Sequence, residues 1–93
     1  MNIVSCKKCG GTWDEPSHFD NEVFEKAVEM IRSKDPMKVF PYLTKETGVS
    51  PKGVKGILLH TTRVKGFCHS CNSQLDNTNK TVCSKCGSIN YDW

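Results

Sequence analysis

Ninety-three residues, 37% of them hydrophobic and carrying a net charge of +3, leave a core too small to hold a fold unaided, so a metal or covalent staple is expected. No stretch approaches the roughly 20 apolar residues of a membrane span, and the opening MNIVSCKKCG lacks the apolar run of a secretory signal. A cytoplasmic chain follows as the expectation, in which the six cysteines stay reduced and act as metal ligands rather than disulfides.

The first element is a Cys-x-x-Cys pair, Cys6 and Cys9, followed by Gly10. The same grammar returns at Cys68/Cys71 with Asn72 and at Cys83/Cys86 with Gly87. Bringing two thiolates so close together onto one ion curls the backbone tightly. The turn then exits through a left-handed conformation, which Gly and Asn enter at least cost. Three similar turns, or knuckles, are therefore predicted, in a chain divided into residues 1–19, 20–61 and 62–93.

Residues 20–61 read as three helices. In DNEVFEKAVEMIR, Val23, Phe24, Ala27, Val28 and Ile31 share one face, with Asp20 or Asn21 as the cap. KDPMKVFPYLTKETG restarts at Asp35 and Pro36 and stops at Gly48, with Val39, Phe40 and Leu43 inward. Pro41 either kinks that helix or splits it into a short turn and a helix over about 41–47. SPKGVKGILLH begins again with Ser50 as cap and Pro51 at the first position, and Val54, Ile57 and Leu58 face inward. Gly53 and Gly56 inside it cost about 1 kcal/mol each relative to Ala. The alternation in HTTRVKGF then suggests a strand with Arg63 and Lys65 on one side, either a wing or a charged edge strand.

Between the last two pairs lie NSQLDNTNKTV, read as a hairpin with SQL leading out, DNTN turning and KTV returning. Cys68, Cys71, Cys83 and Cys86 so arranged resemble the zinc ribbon family, over about residues 64–93. The resemblance implies one tetrahedral ion clamped by two knuckles. Four thiolates in a closed shell suit zinc and leave no vacant position for hydrolytic chemistry. Iron, as in rubredoxin, is the alternative, which the colour of the purified protein separates.

Three arrangements stay open for Cys6 and Cys9. A second zinc can be completed by histidine, with His18, His60 and His69 the candidates and His18, in the loop after the knuckle, assigned. His69 sits inside a knuckle, where middle residues usually face solvent. The pair can instead share an ion with a C-terminal pair, or be a half-knuckle without metal.

LTKETGVSPKGVKGIL resembles the helix-turn-helix of DNA-binding regulators. Gly48 takes the turn, Val49 and Val54 lock the helices, and Ser50 caps the recognition helix. The expected fold is thus a small, metal-stabilised α+β chain: an N-terminal zinc knuckle, a helix-turn-helix-like centre of three helices, and a C-terminal zinc-ribbon β-hairpin. The same residues are similar to the helical hairpin in the C-terminal domain of the ribosomal stalk protein L7/L12, which implies a surface for translation GTPases; only the hairpin matches.

Charge separates along the chain. Residues 10–35 hold seven acids against Lys26, Arg32 and Lys34, whereas residues 47–75 hold Lys52, Lys55, Arg63 and Lys65 and no acid. A one-sign surface suits a polyanion. The function expected is that of a small zinc-dependent, DNA-binding, transcription-related regulator. Lys52, Lys55, Arg63 and Lys65 would meet phosphates, and the helix N-terminus at Ser50 would hold one more. The alternative is an adaptor on a larger machine such as RNA polymerase or a translation factor, anchored by exposed Phe67, Tyr91 and Trp93. A nickel-delivery role lacks the N-terminal His motif, since residue 2 is Asn2. No nucleophile–base pair, phosphate-binding glycine loop or carboxylate pair is visible, so no enzyme, small-molecule substrate or membrane partner is expected.

Overall fold

The computed structural model describes residues Asn2–Trp93. The chain runs β1 (Asn2–Ser5), β2 (Thr12–Glu15), α1 (Asn21–Arg32), a 3-10 turn (Pro36–Lys38), α2 (Val39–Thr47), α3 (Pro51–His60), β3 (Asn79–Val82) and β4 (Ile89–Asp92). It is a small α+β fold of three helices and two antiparallel two-stranded sheets, β1–β2 and β3–β4. Among the described residues, no helix is long and apolar enough to cross a membrane.

The helices start and stop where local chemistry directs. Asp20 caps α1 by accepting the Val23 N–H at 3.2 Å. Ser50 caps α3 through the Gly53 N–H at 3.2 Å, satisfying donors that have no partner inside the helix. The segment divides into a short turn and a helix, as one reading of Pro41 had it, and Pro41 stands two residues inside the helix rather than at its start. It lies in the first turn, where its missing N–H would have had no intrahelical acceptor. Gly48 ends α2 in the left-handed region at φ 74° and donates to the Thr44 carbonyl.

Strand pairing differs from the reading in two places. The hairpin over residues 72–82 does not form as SQL against KTV. Each knuckle is instead the tip of its own hairpin, so pairing joins the residues that flank it. β3 pairs with β4 across Cys83–Cys86, in the register Asn79↔Asp92 to Val82↔Ile89. Phe67 bridges to Gln74 across Cys68–Cys71. Nor do residues 62–67 form a strand with a basic side. Thr62 ties back to the Tyr91 carbonyl at 3.1 Å, and the Phe67 N–H closes a turn onto the Val64 carbonyl with Gly66 at φ 89°.

One buried cluster draws on every part of the chain: Cys6 and Trp13 from the first hairpin; Phe24, Val28, Val39, Leu43, Val54 and Ile57 from the helices; and Ile89, Tyr91 and Trp93 from the C-terminal segment. All four residues of β4 are buried. Polar links staple it to the N-terminal hairpin. The Trp13 Nε1–H donates to Tyr91 Oη at 3.0 Å, and the Tyr91 hydroxyl donates to Glu15 at 2.8 Å. Arg32, at the end of α1, donates to the carbonyls of Thr62 (2.9 Å) and Trp93 (3.1 Å). The N-terminal hairpin is thereby pressed onto both α3 and β4, and this sets the position of its knuckle.

Candidate metal centres

The three Cys-x-x-Cys turns are built alike. In each, the first cysteine's N–H reaches the carbonyl five residues on: Cys6 to Gly11 (3.0 Å), Cys68 to Ser73 (2.8 Å), Cys83 to Ser88 (2.9 Å). The residue after the second cysteine donates back to the first one's carbonyl from a left-handed conformation, with φ 73° at Gly10, 61° at Asn72 and 80° at Gly87. All six cysteines are free.

The two C-terminal knuckles face one another. Cys68 Sγ lies 3.6 Å from Cys86 Sγ, and Cys71 Sγ lies 3.6 Å from Cys83 Sγ. A tetrahedral zinc with its usual Zn–S bonds separates its sulfurs by about 3.8 Å, so the four donors already have the spacing of one ion's shell. Their chemistry asks for a cation. Burial, together with the sulfurs of Cys68, Cys71 and Cys83, pushes the Cys86 thiol up to about 12, while the side chain and backbone N–H of Ser73 draw Cys71 down to about 6. Four thiolates in contact cannot all ionise without positive charge among them. Outer partners hold the set in place: Ser70 N–H and Asn90 Nδ2 each donate to Cys68 Sγ at 3.4 Å.

A second group forms from residues far apart in sequence. Cys6, Cys9 and His60 place their ligand atoms within 4.8 Å of one another, with Cys9 Sγ 3.3 Å from His60 Nε2. His60 closes α3, and its Nδ1 lies 2.9 Å from the Gly56 carbonyl. A carbonyl only accepts, so Nδ1 carries the proton. In the neutral ring Nε2 then presents a bare lone pair towards Cys9, the tautomer a metal requires. The Trp13 ring packs against the imidazole, tilted by 30° with ring centroids 4.3 Å apart. Burial alone would raise the Cys6 thiol. Backbone N–H groups of Ile89 and Cys9 and the Ser88 hydroxyl outweigh it and bring Cys6 down to about 6.

No protein-family model, curated protein or solved structure matches this chain. Two groups of Cys and Cys/His able to hold metal ions, compatible with zinc, therefore stand on geometry alone.

His60, not the assigned His18, meets Cys6 and Cys9. His18 is exposed and outside both groups. The reason is the direction of the chain: β2 starts beside the knuckle, where Thr12 pairs with Ser5, and ends where Glu15 pairs with Asn2. Its rise carries the following loop about 10 Å away. His69 stacks edge-on to His60 at 4.9 Å, but its Nε2 is spent on Ser88 Oγ (2.9 Å) and the Ile89 carbonyl (3.0 Å). His60→Ala should lower the metal count from two ions per chain to one, with the four-cysteine site still filled. Native mass spectrometry reads this directly, and a variant that keeps both ions would remove His60 from the shell.

The proposed anion-binding residues are divided. Lys52 and Lys55 are exposed along α3, and Arg63 and Lys65 are exposed beyond it. Ser50 is already occupied by an internal anion. Asp14 of β2 accepts its backbone N–H at 2.9 Å and its hydroxyl as well. Those two bonds, the hydroxyl's first, hold the Asp14 carboxyl below its ordinary range. Tyr91 and Trp93, 0% and 7% exposed, are core and not docking anchors, whereas Phe67 is 43% exposed. Sequence reasoning counted Gly53 and Gly56 as a cost and as small residues suited to close approach by a nucleic-acid backbone, and missed that the segment packed on them is the chain's own. Two small residues three apart on a helix mark a face where another segment comes close, and β2 is that segment.

Proposed function

We propose that the protein is a two-zinc, nucleic-acid-binding module that holds duplex DNA through phosphate contacts, as a small transcription-related regulator in the cytoplasm. The observation carrying this reading is the outward stripe of α3. Lys52 and Lys55 are exposed one turn apart, Arg63 follows beyond the helix, and none has an ion-pair partner among the described residues. The turn at Gly48 and the cap at Ser50 support a helix-turn-helix-like arrangement of α2 and α3. The zinc centres supply rigidity in this reading, not reactivity.

The seating of α3 narrows the contact. Its Gly53–Gly56 face lies under β2 and Asp14 fills its N-terminus, so the stripe of Lys52, Lys55 and Leu59 is what remains for a partner. Lys65 borders the same cleft as Glu25 and Glu29 and adds little to a one-sign surface. The stripe carries no Arg, Asn or Gln to read base edges, which favours sequence-independent binding.

Three phosphate contacts give a slope of about −3 in log K against log salt, with Kd on the order of 10⁻⁴–10⁻⁶ M at physiological salt. Fluorescence anisotropy with a labelled duplex measures both, and Lys52→Glu with Lys55→Glu should cut the slope to about −1. Binding that ignores salt or this double substitution overturns the reading. Phe67, with exposed Leu59 and Val64 nearby in sequence, supports docking on a protein machine as the second reading. That reading predicts that Phe67→Ala abolishes partner capture while the lysine substitutions leave it intact.

A further inference from the structure

We propose that zinc bound by Cys6, Cys9 and His60 has three protein donors and keeps its fourth position for a small, soft anionic ligand, a thiolate being the chemical class that fits best. The inference rests on reading this group as a metal centre and extends it from structure to ligand exchange.

Three observations converge. First, the donor set stops at three. Among the described residues no further Cys, His, Asp or Glu ligand atom joins the group. His69, the nearest imidazole, offers nothing through Nε2. That atom faces the Ile89 carbonyl at 3.0 Å, which only accepts, so Nε2 is protonated and cannot coordinate. The ring is held there by its own backbone, whose N–H donates to Asn90 Oδ1 at 2.9 Å. Ser88 Oγ, 3.8 Å from Cys6 Sγ, is placed as an outer donor to the sulfur.

Second, the group is open on one side. Cys6 is 1% exposed and its sulfur faces Ser88 and the Ile89 N–H, whereas Cys9 is exposed. An ion held between them has a protein-lined inner side and a solvent-facing outer side. The four-cysteine group is closed by comparison, with every position taken by sulfur.

Third, charge at the two centres differs. Two thiolates and a neutral imidazole cancel the charge of Zn²⁺, while four thiolates leave the other centre at a net of about −2. Lys7 and Lys8, between the two cysteine ligands, are exposed and have no ion-pair partner among the described residues. The neutral centre beside two cations attracts an anion, and a centre already bearing thiolates favours a soft one.

Cobalt substitution tests this on the full chain. Protein reconstituted with Co²⁺ under a phosphine reductant should bind two ions and show overlapping visible bands from a four-sulfur and a two-sulfur, one-nitrogen site. Titration with azide, and separately with 2-mercaptoethanol, should shift one component saturably. That component should be missing from His60→Ala and retained in His69→Ala, and mercaptoethanol should half-saturate at lower concentration than azide. Two bound ions whose bands resist both ligands would overturn the open position while leaving two metal centres standing. If the two-sulfur component instead changes in His69→Ala, His69 closes the shell, and the proposal fails for that reason. A single bound ion, with His60→Ala spectrally identical to the parent, removes the metal centre and the proposal with it.

Discussion

EDTA under reducing conditions is expected to unfold this protein at room temperature, and added zinc to restore it. A domain of this size has a net stability of about 5–15 kcal/mol. Structural zinc binding contributes about 10–16 kcal/mol at neutral pH, so losing the ions consumes the whole margin. Cys68 and Cys83 are buried within the four-sulfur group, so losing the ion leaves buried thiols in contact with nothing to bind them together. Cys83→Ser should therefore act like the chelator. Circular dichroism during EDTA titration reports the loss, and a far-ultraviolet signal and melting curve unchanged by chelation would refute the metal reading at its base.

Gly56→Ala is expected to destabilise the fold and to empty the second metal site, although the same change in an exposed helix would stabilise it by about 1 kcal/mol. A Cβ at Gly56 would lie 2.2 Å from Cγ of the Trp13 ring. The ring is buried, packs against His60 and bonds to Tyr91, so moving it disturbs both. Overpacking of this kind costs about 1–3 kcal/mol, and occasionally more. Displacing Trp13 also frees the His60 ring, so metal stoichiometry should fall along with the melting temperature. Gly53→Ala meets the Asp14 backbone oxygen at 2.3 Å and should destabilise without touching His60. A Gly56→Ala protein that melts higher and keeps both ions would show that the helix and hairpin are not in contact.

What the sequence disclosed was whatever depends on neighbours along the chain. Gly10, Asn72 and Gly87 announce left-handed exits, and Asp20, Ser50 and Gly48 mark helix ends, because the hydrogen bonds they make span five residues or fewer. The choice among histidines was not legible in the same way. His18 is near Cys9 in sequence, but the rise of β2 takes it away, whereas His60 returns across 51 residues because α3 packs on the hairpin. Gly53 and Gly56 carried the clue to that packing, but they read as a cost and as room for a nucleic-acid backbone. Tyr91 and Trp93 read as surface anchors because aromatics dominate interface hot spots. The structure buries β4 on both faces, and its polar residues find partners inside: Asp92 accepts from Thr62 and the Gly66 N–H, and Asn90 donates to Cys68. Alternation in residues 62–67 failed as a strand signal because pairing onto β4 stops after Thr61 and Thr62 meet Tyr91, and the chain then turns between Val64 and Phe67.

The wide spacing of the second centre's parts bears on how the protein is born. A ribosome releases Cys6 and Cys9 first, His60 much later, and Ser88, whose hydroxyl supports Cys6, 82 residues after it. Until His60 emerges the first two thiols are a bare chelating pair, open to whichever soft ion or oxidant arrives. The three donors can meet only once His60 has emerged, and Cys6 gains its outer contact only when Ser88 follows.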